Sequence, residues 1–537
     1  MRIRTVATQL ALLASVPLAL SQDSVSYDFD TYGVGDDSGT PYQTYQSNAV
    51  VQPPEMHINR NGTALADGYI FVGVNGKPTS GQNWPTIFEF SDDIEGSLIW
   101  TANYSLPFDF RTQTYKGEPV LTFWSGIVLN GYGRGSFYML NQSYDEIAHF
   151  EVARFGDDMG DAHEFTVTPD DTALVAIYIA VPYDLSAVGG SEDGWLFENT
   201  FQEINIETGE LVFEWNASTH VGLNESYNAL TDVGESEEAP WDYFHINSVA
   251  KDKNGDYLVS GRHDARWLND DMKRITVFDN GPTEDIGYSR GLLLDVNEDD
   301  MTVTLVQDFT NEAKTFAQYE GSLRAIDPSN ETTNYIIGYG NQPFFTELDY
   351  QGNILLDVQF GKTNVVNAYR AFRQPWEGKP STKPDIHWDK DGNSTYFSWN
   401  GATEVASWVV CTANASDSDL WTNVTVARRT GFETTIDLSD VQLERFVRGK
   451  AVNSNGTALG WTMASDGDEL YDAPDNVSER GSASATPTPS STSSSSPSGT
   501  NEASSTTLSG AAARATHAVM EQAYVVAVVV VGGLAFV

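Results

Sequence analysis

The sequence of 537 residues has a single cysteine, Cys411, which excludes an intrachain disulfide. Stability must therefore come from packing rather than from covalent cross-links. Cys411 lies between the apolar pair Val409-Val410 and Thr412. This setting is typical of a buried strand residue rather than of a nucleophile.

Basic residues are also scarce. Thirty Lys and Arg stand against 75 Asp and Glu, which gives a formal net charge of −45 and a pI near 4.2. Such an acidic surface argues against nucleic acid and anionic lipid headgroups as partners. The acidic composition does not indicate a particular substrate, because it also increases solubility.

Long helical periodicity is nearly absent, and short apolar runs alternate with turns rich in Gly, Asn and Asp, which predicts an all-β fold. The length exceeds what one core usually holds, so we expect two or more domains. Strand–turn–strand units recur at 165–178, 203–215, 249–260 and 346–357. Recurrent hairpins favour a β-propeller over a large β-sandwich or two barrels.

A change in composition marks the end of the predicted propeller, residues 22–373. Residues 374–384 are rich in proline and predict a linker. Residues 385–475 predict a small β-sandwich of immunoglobulin or fibronectin type. Its expected strands are 394–399, 406–412, 423–427, 434–438, 445–452 and 458–462.

The first 21 residues have the pattern of a secretory signal peptide. Arg2 and Arg4 precede the apolar run 10–20, and small residues place the expected cleavage before Gln22. The apolar run is too short to span a bilayer as a membrane anchor.

The C-terminal residues show three successive compositions. Residues 476–509 are rich in Ser and Thr and predict a disordered stalk. Small residues at Ser509-Gly510-Ala511, a spacer and an apolar tail predict GPI attachment at Ser509 and removal of residues 510–537. The alternative is a transmembrane helix, although the tail is short and no basic residue comes after it. We therefore expect a cell-surface or cell-wall protein that meets the membrane only through a lipid anchor.

Eleven N-x-S/T sequons agree with export and predict glycosylated asparagines on exposed turns or strand edges. They lie at Asn61, Asn103, Asn141, Asn216, Asn224, Asn330, Asn393, Asn414, Asn423, Asn455 and Asn476.

Three of the eight histidines lie in dense polar neighbourhoods beside predicted hairpins: His163, His245 and His263. We expect His245 and Asn247 to alternate along one strand, and Arg262 and His263 to end the strand that pairs with it. Imidazole, amide and guanidinium groups that converge suit an anionic ligand. Two alternatives stay open, a zinc site and separate structural histidines.

Several stretches together resemble the arylsulfotransferase (ASST) family in its fungal branch. They are Asp161–Phe165, Trp241–Val249, Tyr257–Arg262, His263–Arg266 and Ile275–Gly281, within a similarity that covers roughly residues 42–464. The resemblance implies a six-bladed propeller that moves a sulfuryl group from an aryl sulfate to a phenol through a sulfohistidine. It implies no nucleotide donor, no cofactor and no metal.

By the same resemblance, His263 is the nucleophile, and His245, Asn247, Arg262 and His163 bind sulfuryl oxygens and move protons. Arg266 is then a substrate-binding residue.

One departure affects this carry-over. The family separates a strand ending in Arg-His from a later His-Asp-Ala-Arg element, whereas Arg262 to Arg266 merge them. We expect one blade to lack a hairpin, and His263 to end the first element, begin the second or serve as both. The alternative function is a non-catalytic surface protein that binds an anionic or aromatic ligand, and a purely structural glycoprotein is a third possibility. The oligomeric state is left open.

Overall fold

A computed structural model describes residues 41–61, 65–76, 84–269, 271–281, 287–300, 302–330 and 332–481, with the backbone of two terminal strands. Within this part the regular elements are strands, apart from three short 3-10 helices at Ser186–Val188, Ala217–Thr219 and Leu223–Glu225. The all-β expectation is therefore confirmed. The stalk from residue 482 and the attachment residue Ser509 lie outside the described residues.

The strands up to residue 216 are β1 Arg4–Ala11, β2 His57–Arg60, β3 Tyr69–Gly73, β4 Asn75–Gly76, β5 Pro85–Phe90, β6 Glu95–Thr101, β7 Phe108–Tyr115, β8 Glu118–Leu129, β9 Tyr132–Leu140, β10 Glu146–Phe150, β11 Asp161–Val167, β12 Thr172–Tyr183, β13 Gly194–Asn205 and β14 Leu211–Asn216. Those from 248 to 374 are β15 Ser248–Lys251, β16 Asp256–Ser260, β17 His263–Trp267, β18 Arg274–Asp279, β19 Arg290–Asn297, β20 Thr302–Phe309, β21 Ser322–Ala325, β22 Tyr335–Gly338, β23 Phe344–Leu348, β24 Ile354–Gln359, β25 Val366–Asn367 and β26 Ala371–Gln374. The remaining strands are β27 Asp385–Asp389, β28 Ser394–Ser398, β29 Ser407–Ala413, β30 Leu420–Arg428, β31 Glu433–Asp437, β32 Phe446–Val452, β33 Ala458–Trp461, β34 Ala464–Ser465, β35 Leu470–Tyr471, β36 Ser478–Arg480 and β37 Ala523–Gly532.

Six antiparallel sheets succeed one another along residues 57–374. Their strand orders are β7-β8-β9-β10, β11-β12-β13-β14, β15-β16-β37-β1, β17-β18-β19-β20, β21-β22-β23-β24-β2 and β26-β3-β5-β6. A two-stranded pair, β4-β25, accompanies them. The four hairpins predicted from the sequence are each confirmed as antiparallel strand pairs.

One edge strand of each sheet packs against its counterpart in the next sheet. These six inner strands are β7, β11, β15, β17, β21 and β26. Contacts join β7 to β11, β11 to β15, β15 to β17, β17 to β21, and β26 back to β7. The Ser322 hydroxyl meets the backbone of Ala371 and so joins β21 to β26.

Apolar clusters fill the spaces between successive sheets. Trp124 and Phe165 belong to the cluster between the first two sheets, and Trp215 and Val259 to the next one. Further clusters lie around the inner strands, and the last contains Phe71 and Phe110 from the sixth and first sheets. Because apolar burial is the main stabilising contribution to folding, these clusters hold the sheets together without any disulfide.

The third sheet differs from its neighbours because the central part of the chain supplies only β15 and β16. The C-terminal strand β37 pairs with β16, and the N-terminal strand β1 pairs with β37. This is the sheet that the merged Arg262–Arg266 segment predicts to lack a hairpin. Processing of the predicted signal peptide and tail stays a prediction.

Residues 385–480 form two stacked sheets, β27-β28-β31 and a larger one built around β29 and β32. Side chains of both sheets share one buried cluster that includes Ile386, Phe397 and Trp408. The Phe397 and Trp408 rings stack with centroids 5.2 Å apart. Cys411 is buried in β29, which confirms its assignment to a strand, and burial raises the pKa of its thiol to about 12.

Two boundaries differ from the sequence prediction. Gln374, the first residue of the expected linker, ends β26. Ser478–Arg480, in the expected stalk, form β36, which pairs in parallel with β30. Both differences arise because backbone pairing in a sheet overrides the local proline-rich or serine-rich composition.

Gly449 makes the close approach of the two stacked sheets possible. A Cβ atom at this position would lie 2.4 Å from the Phe397 ring. We expect Gly449→Ala to lower the free energy of unfolding by about 1–3 kcal/mol, because extra volume in a packed core forces neighbours to shift. Urea unfolding measures this change. Gly287→Ala is the matched control, since a Cβ there meets no described residue within 4 Å, and an equal loss in both variants would contradict the prediction.

The predicted sequon asparagines fall into two groups. Eight are exposed: Asn61, Asn103, Asn224, Asn330, Asn393, Asn414, Asn455 and Asn476. The other three are half-buried with engaged side chains: Asn141, Asn216 and Asn423. The Asn423 amide donates to Glu479 at 2.7 Å, so attachment of a glycan there would require that bond to break.

Among the residues that the structure describes, no helix has the length and apolarity needed to cross a membrane.

Candidate active site

The three histidines singled out in the sequence lie together at one end of the inner strands. The His163 and His245 ring centroids are 5.0 Å apart, and their planes are nearly perpendicular. The Tyr369 ring lies between His163 and His263, with its centroid 5.9 Å from the first and 6.5 Å from the second. Tyr178 completes the wall, 5.6 Å from His245.

Irregular backbone aims these side chains. Strands β7, β11 and β17 each have a register shift, at Phe108/Arg111, Asp161/Phe165 and His263/Arg266. Such bulges turn side chains out of the regular alternation and are frequent beside active sites. Asp264 has φ 56°, a left-handed value that is uncommon for a residue other than glycine.

His163 is held by a buried carboxylate. Its Nδ1 lies 2.5 Å from Asp161 Oδ1, while Gly133 N–H donates to Asp161 Oδ2 at 2.5 Å. Burial alone would raise the pKa of Asp161, but His163 and these hydrogen bonds lower it, so the carboxylate stays ionised. An anion beside Nδ1 fixes the proton there. Within the described residues the structure gives Nε2 of His163 no hydrogen-bond partner, which leaves its lone pair free.

His245 has a similar arrangement. Its Nδ1 contacts Asp242, and its backbone N–H donates to Asn199 Oδ1 at 2.6 Å. Burial lowers the pKa of His245, but the carboxylate of Asp242 and the more distant Asp161 outweigh burial and raise it. His245 is therefore better suited than an isolated histidine to hold a proton near neutral pH.

Both ring nitrogens of His263 are engaged. Nδ1 lies 2.8 Å from Asn280 Oδ1, and Glu320 N–H donates to Nε2 at 3.1 Å. Burial, followed by the nearby His163 and His245, lowers the pKa of His263 well below its usual value. The ring is therefore neutral, and its lone pair is occupied by a backbone amide.

Glu320 beside His263 predicts a pH-dependent stability. Burial raises the pKa of its carboxyl group to about 8. The folded state therefore keeps a proton that the unfolded state loses, and stability should fall as the pH rises from about 4.5 to about 8, by on the order of a few kcal/mol. Urea unfolding at several pH values measures this slope. Glu320→Gln should flatten it, and an unchanged slope in that variant would contradict the prediction.

Two expectations about the backbone of the site are wrong. His245 and Asn247 do not alternate along one strand, because β15 begins at Ser248 and His245 has φ 55°. His263 does not end the earlier strand, because β16 stops at Ser260 and His263 is the first residue of β17. His263 thus belongs to the second of the two merged elements.

The remaining predicted site residues lie beside or below the rings. Asn247 donates to the carbonyl of Gly261 at 3.0 Å, and its buried Oδ1 has no partner in the described chain. The Arg262 guanidinium lies 3.4 Å from Asp279. Arg266 pairs with Glu164 at 2.7 Å. The three histidines therefore lie close together, whereas Arg262 and Arg266 form ion pairs with Asp279 and Glu164.

A buried ionic layer supports the histidines from below. Arg370 is fully buried and donates to Asp109 at 2.9 Å, to the His163 carbonyl at 2.9 Å and to the Asn247 carbonyl at 3.0 Å. It also lies 3.6 Å from Asp264, the residue after His263. One guanidinium thus joins the backbone at His163 and at Asn247 to the side chain of Asp264.

Several functional candidates were not identified from the sequence: Asp161, Asp242, Asn280, Glu320, Tyr178 and Tyr369. Asp161 and Asp242 lie two and three residues before their histidines, so spacing alone was an available signal. Glu320 and Tyr369 lie in the segments that precede β21 and β26, and only the fold places them at the histidines.

Residues 111–264 and 261–361 match the sequence model of a known family in two segments. The family is arylsulfotransferase (ASST). The match supports an arylsulfotransferase-like function in general and agrees with the resemblance seen in the motifs. The two matched segments overlap at residues 261–264, which include Arg262 and His263.

No curated protein matches the chain. Solved structures with some likeness include a hypothetical selenium-binding protein from Sulfolobus tokodaii, with 13% identity, coverage of 80% of this chain and 89% of that one, and a TM-score of 0.24. A functionally unknown protein from Desulfotomaculum acetoxidans has 11% identity, coverage of 76% and 100%, and a TM-score of 0.21. A quinohemoprotein alcohol dehydrogenase from Pseudomonas putida has 10% identity, coverage of 64% and 63%, and a TM-score of 0.20.

A zinc site would need several ligating side chains close together. Among the described residues, no group of three or more His, Cys, Asp or Glu side chains is placed to hold a metal ion.

Proposed function

We propose that the protein transfers a sulfuryl group from an aryl sulfate to a phenol at the three-histidine cluster, with His163 as the nucleophile. The observation that carries this proposal is the pair of carboxylate-backed imidazoles, His163 and His245, whose rings lie 5.0 Å apart. An imidazole whose Nδ1–H donates to a carboxylate presents a basic Nε2 lone pair, the requirement for nucleophilic catalysis.

In the first half-reaction, the Nε2 lone pair of His163 forms a bond to sulfur as the bond from sulfur to the aryl oxygen breaks. The leaving phenolate takes a proton from His245, whose raised pKa suits a general acid. In the second half-reaction, a phenol oxygen attacks sulfur, the sulfur–nitrogen bond breaks and the phenol proton passes to His245. No nucleotide sulfate takes part.

The resemblance alone implies His263 as the nucleophile, and the contacts favour His163 instead. Nucleophilic attack by His263 would require the hydrogen bond from Glu320 N–H to break, at a cost of about 0.5–1.5 kcal/mol. His163 has no such bond to break within the described chain. Neutral His263 and the tyrosines then shape the pocket for the aryl group.

We also propose that the six sheets are the blades of a six-bladed β-propeller and that residues 385–480 are an immunoglobulin-like or fibronectin-like sandwich. The chain of contacts among the inner strands and the apolar clusters between neighbouring sheets support the first assignment. The shared cluster of two stacked sheets supports the second. Export, glycosylation and a GPI anchor remain part of the proposal, supported by the sequence pattern and by eight exposed sequon asparagines.

The test uses the purified protein, 4-nitrophenyl sulfate as donor and a simple phenol as acceptor. We expect nitrophenolate release that depends on the acceptor, with an equal amount of sulfated phenol by mass spectrometry. Rapid quenching without acceptor, followed by peptide mapping under basic conditions, should place the sulfuryl group on His163. No transfer by the native protein would overturn the activity, and a sulfuryl group on His263 would overturn only the choice of nucleophile.

A further inference from the structure

A cavity lies on the far side of the ionic layer from the histidines. It has a volume of about 170 Å³. Its charged lining residues are Arg111, Arg266, Arg324 and Arg373, and no Asp or Glu is among its described lining residues. This composition is unusual in a chain with a net charge of −45.

Position along the inner strands separates this cavity from the histidines. In β17, His263 is the first residue and Arg266 the fourth, and Arg266 and Trp267 line the cavity. Tyr369, which contacts the histidines, lies two residues before β26, and Phe372 and Arg373 of β26 line the cavity. The fully buried Arg370 lies between the two sites.

The buried ionic layer carries one more positive than negative charge. Its four guanidiniums and three carboxylates belong to Arg111, Arg266, Arg324 and Arg370, and to Asp109, Glu164 and Asp264. Arg373 is balanced separately by Glu347 at 2.8 Å. A buried charge without a counter-charge is costly, so the excess positive charge favours an anion at this place.

Unused donors give the same indication. The Nε atoms of Arg111 and Arg266 and a terminal nitrogen of Arg373 are buried and have no hydrogen-bond partner in the described chain. These three residues are 5%, 7% and 2% exposed. Burial, partly offset by Asp264 and reinforced by neighbouring arginines, lowers the pKa of Arg324 to about 9. An anion in the cavity would offset the positive charge of these guanidiniums.

The rest of the wall is apolar. Phe372 lies between two guanidiniums, with Arg111 5.5 Å and Arg324 5.4 Å from its ring centroid. Trp267, Leu268 and Ile326 add further apolar surface. Apolar cavities of about 150 Å³ admit a benzene ring, so this cavity has room for one aromatic ring with an anionic group.

We propose that this cavity binds an aromatic monoanion of the aryl carboxylate class, at a site separate from the histidines. The carboxylate offsets the excess positive charge of the arginines, and the ring packs on Phe372 and its apolar neighbours. The inference does not depend on sulfuryl transfer, because none of the three histidines lines the cavity.

Calorimetric titration of the full-length protein with benzoate tests the proposal. We expect saturable binding of one benzoate, with clearly weaker binding of neutral benzamide and of inorganic sulfate. Arg324→Gln should weaken benzoate binding by about tenfold or more, because it removes a charged donor. Arg428→Gln is the matched control, since Arg428 is exposed at the surface beside Asp93.

Two further variants keep the test decisive. Ile326→Glu should abolish benzoate binding by placing a carboxylate at the cavity, even if Arg324→Gln fails to fold. His163→Ala should bind benzoate as the native protein does, whatever its effect on turnover. No benzoate binding by the native protein, equal binding of benzamide, unchanged binding in both cavity variants, or loss of binding in His163→Ala would each overturn the proposal.

Discussion

His163→Ala should lower the rate of sulfuryl transfer by about a thousandfold or more, while the fold is retained. The alanine removes the nitrogen that forms the bond to sulfur, and no neighbouring group replaces it in the same place. His263 is the alternative that the resemblance implies, but a backbone amide occupies its Nε2. Initial rates with 4-nitrophenyl sulfate and a phenol measure the loss.

His163 is 8% exposed, so the alanine variant needs a check of folding by circular dichroism and thermal unfolding. His263→Ala is the matched comparison. It should lose less activity, because in the proposed mechanism the neutral His263 ring only lines the pocket for the aryl group. A His163→Ala protein with native activity would exclude the assignment. Equal losses in both variants would show that the rings act as one unit.

Arg370→Met should lower the free energy of unfolding by about 3–5 kcal/mol, the range found when one partner of a buried ion pair is removed. The guanidinium is fully buried between Asp109 and Asp264 and also satisfies the carbonyls of His163 and Asn247. Methionine has a comparable length but leaves two carboxylates and two carbonyls without this donor.

Urea unfolding of Arg370→Met and Arg428→Met tests this expectation. Arg428 also pairs with an aspartate, Asp93, but both side chains are exposed, so its loss should cost at most about 1 kcal/mol. Similar losses in the two variants would mean that the buried layer does not hold the inner strands together. Arg370→Met should also reduce activity, since the guanidinium fixes the backbone beside His163.

Local sequence patterns predicted the strands well wherever apolar runs are bounded by turn residues. Predicted strands 394–399, 406–412 and 445–452 appear as Ser394–Ser398, Ser407–Ala413 and Phe446–Val452. Ser407–Ala413 and Phe446–Val452 are buried along their whole length, so the signal in the sequence is a short apolar run bounded by turn residues.

The sequence pointed to the three histidines but not to the backbone and the partner side chains around them. Dense polar surroundings identified the three histidines, which do converge. The left-handed backbone at His245 and the start of β17 at His263 were missed, because strand periodicity carries no signal for bulges and positive φ. Partners from distant strands, such as Glu320 for His263, depend on how the sheets pack.

The third sheet has a consequence for maturation. β16 (Asp256–Ser260) pairs on one side with β15 and on the other with β37, residues 523–532 near the C-terminal end of the sequence. Exchange of that segment for a lipid would uncover a row of main-chain donors and acceptors, which attract another strand. Anchoring to a membrane and completion of this sheet would thus compete for the same ten residues.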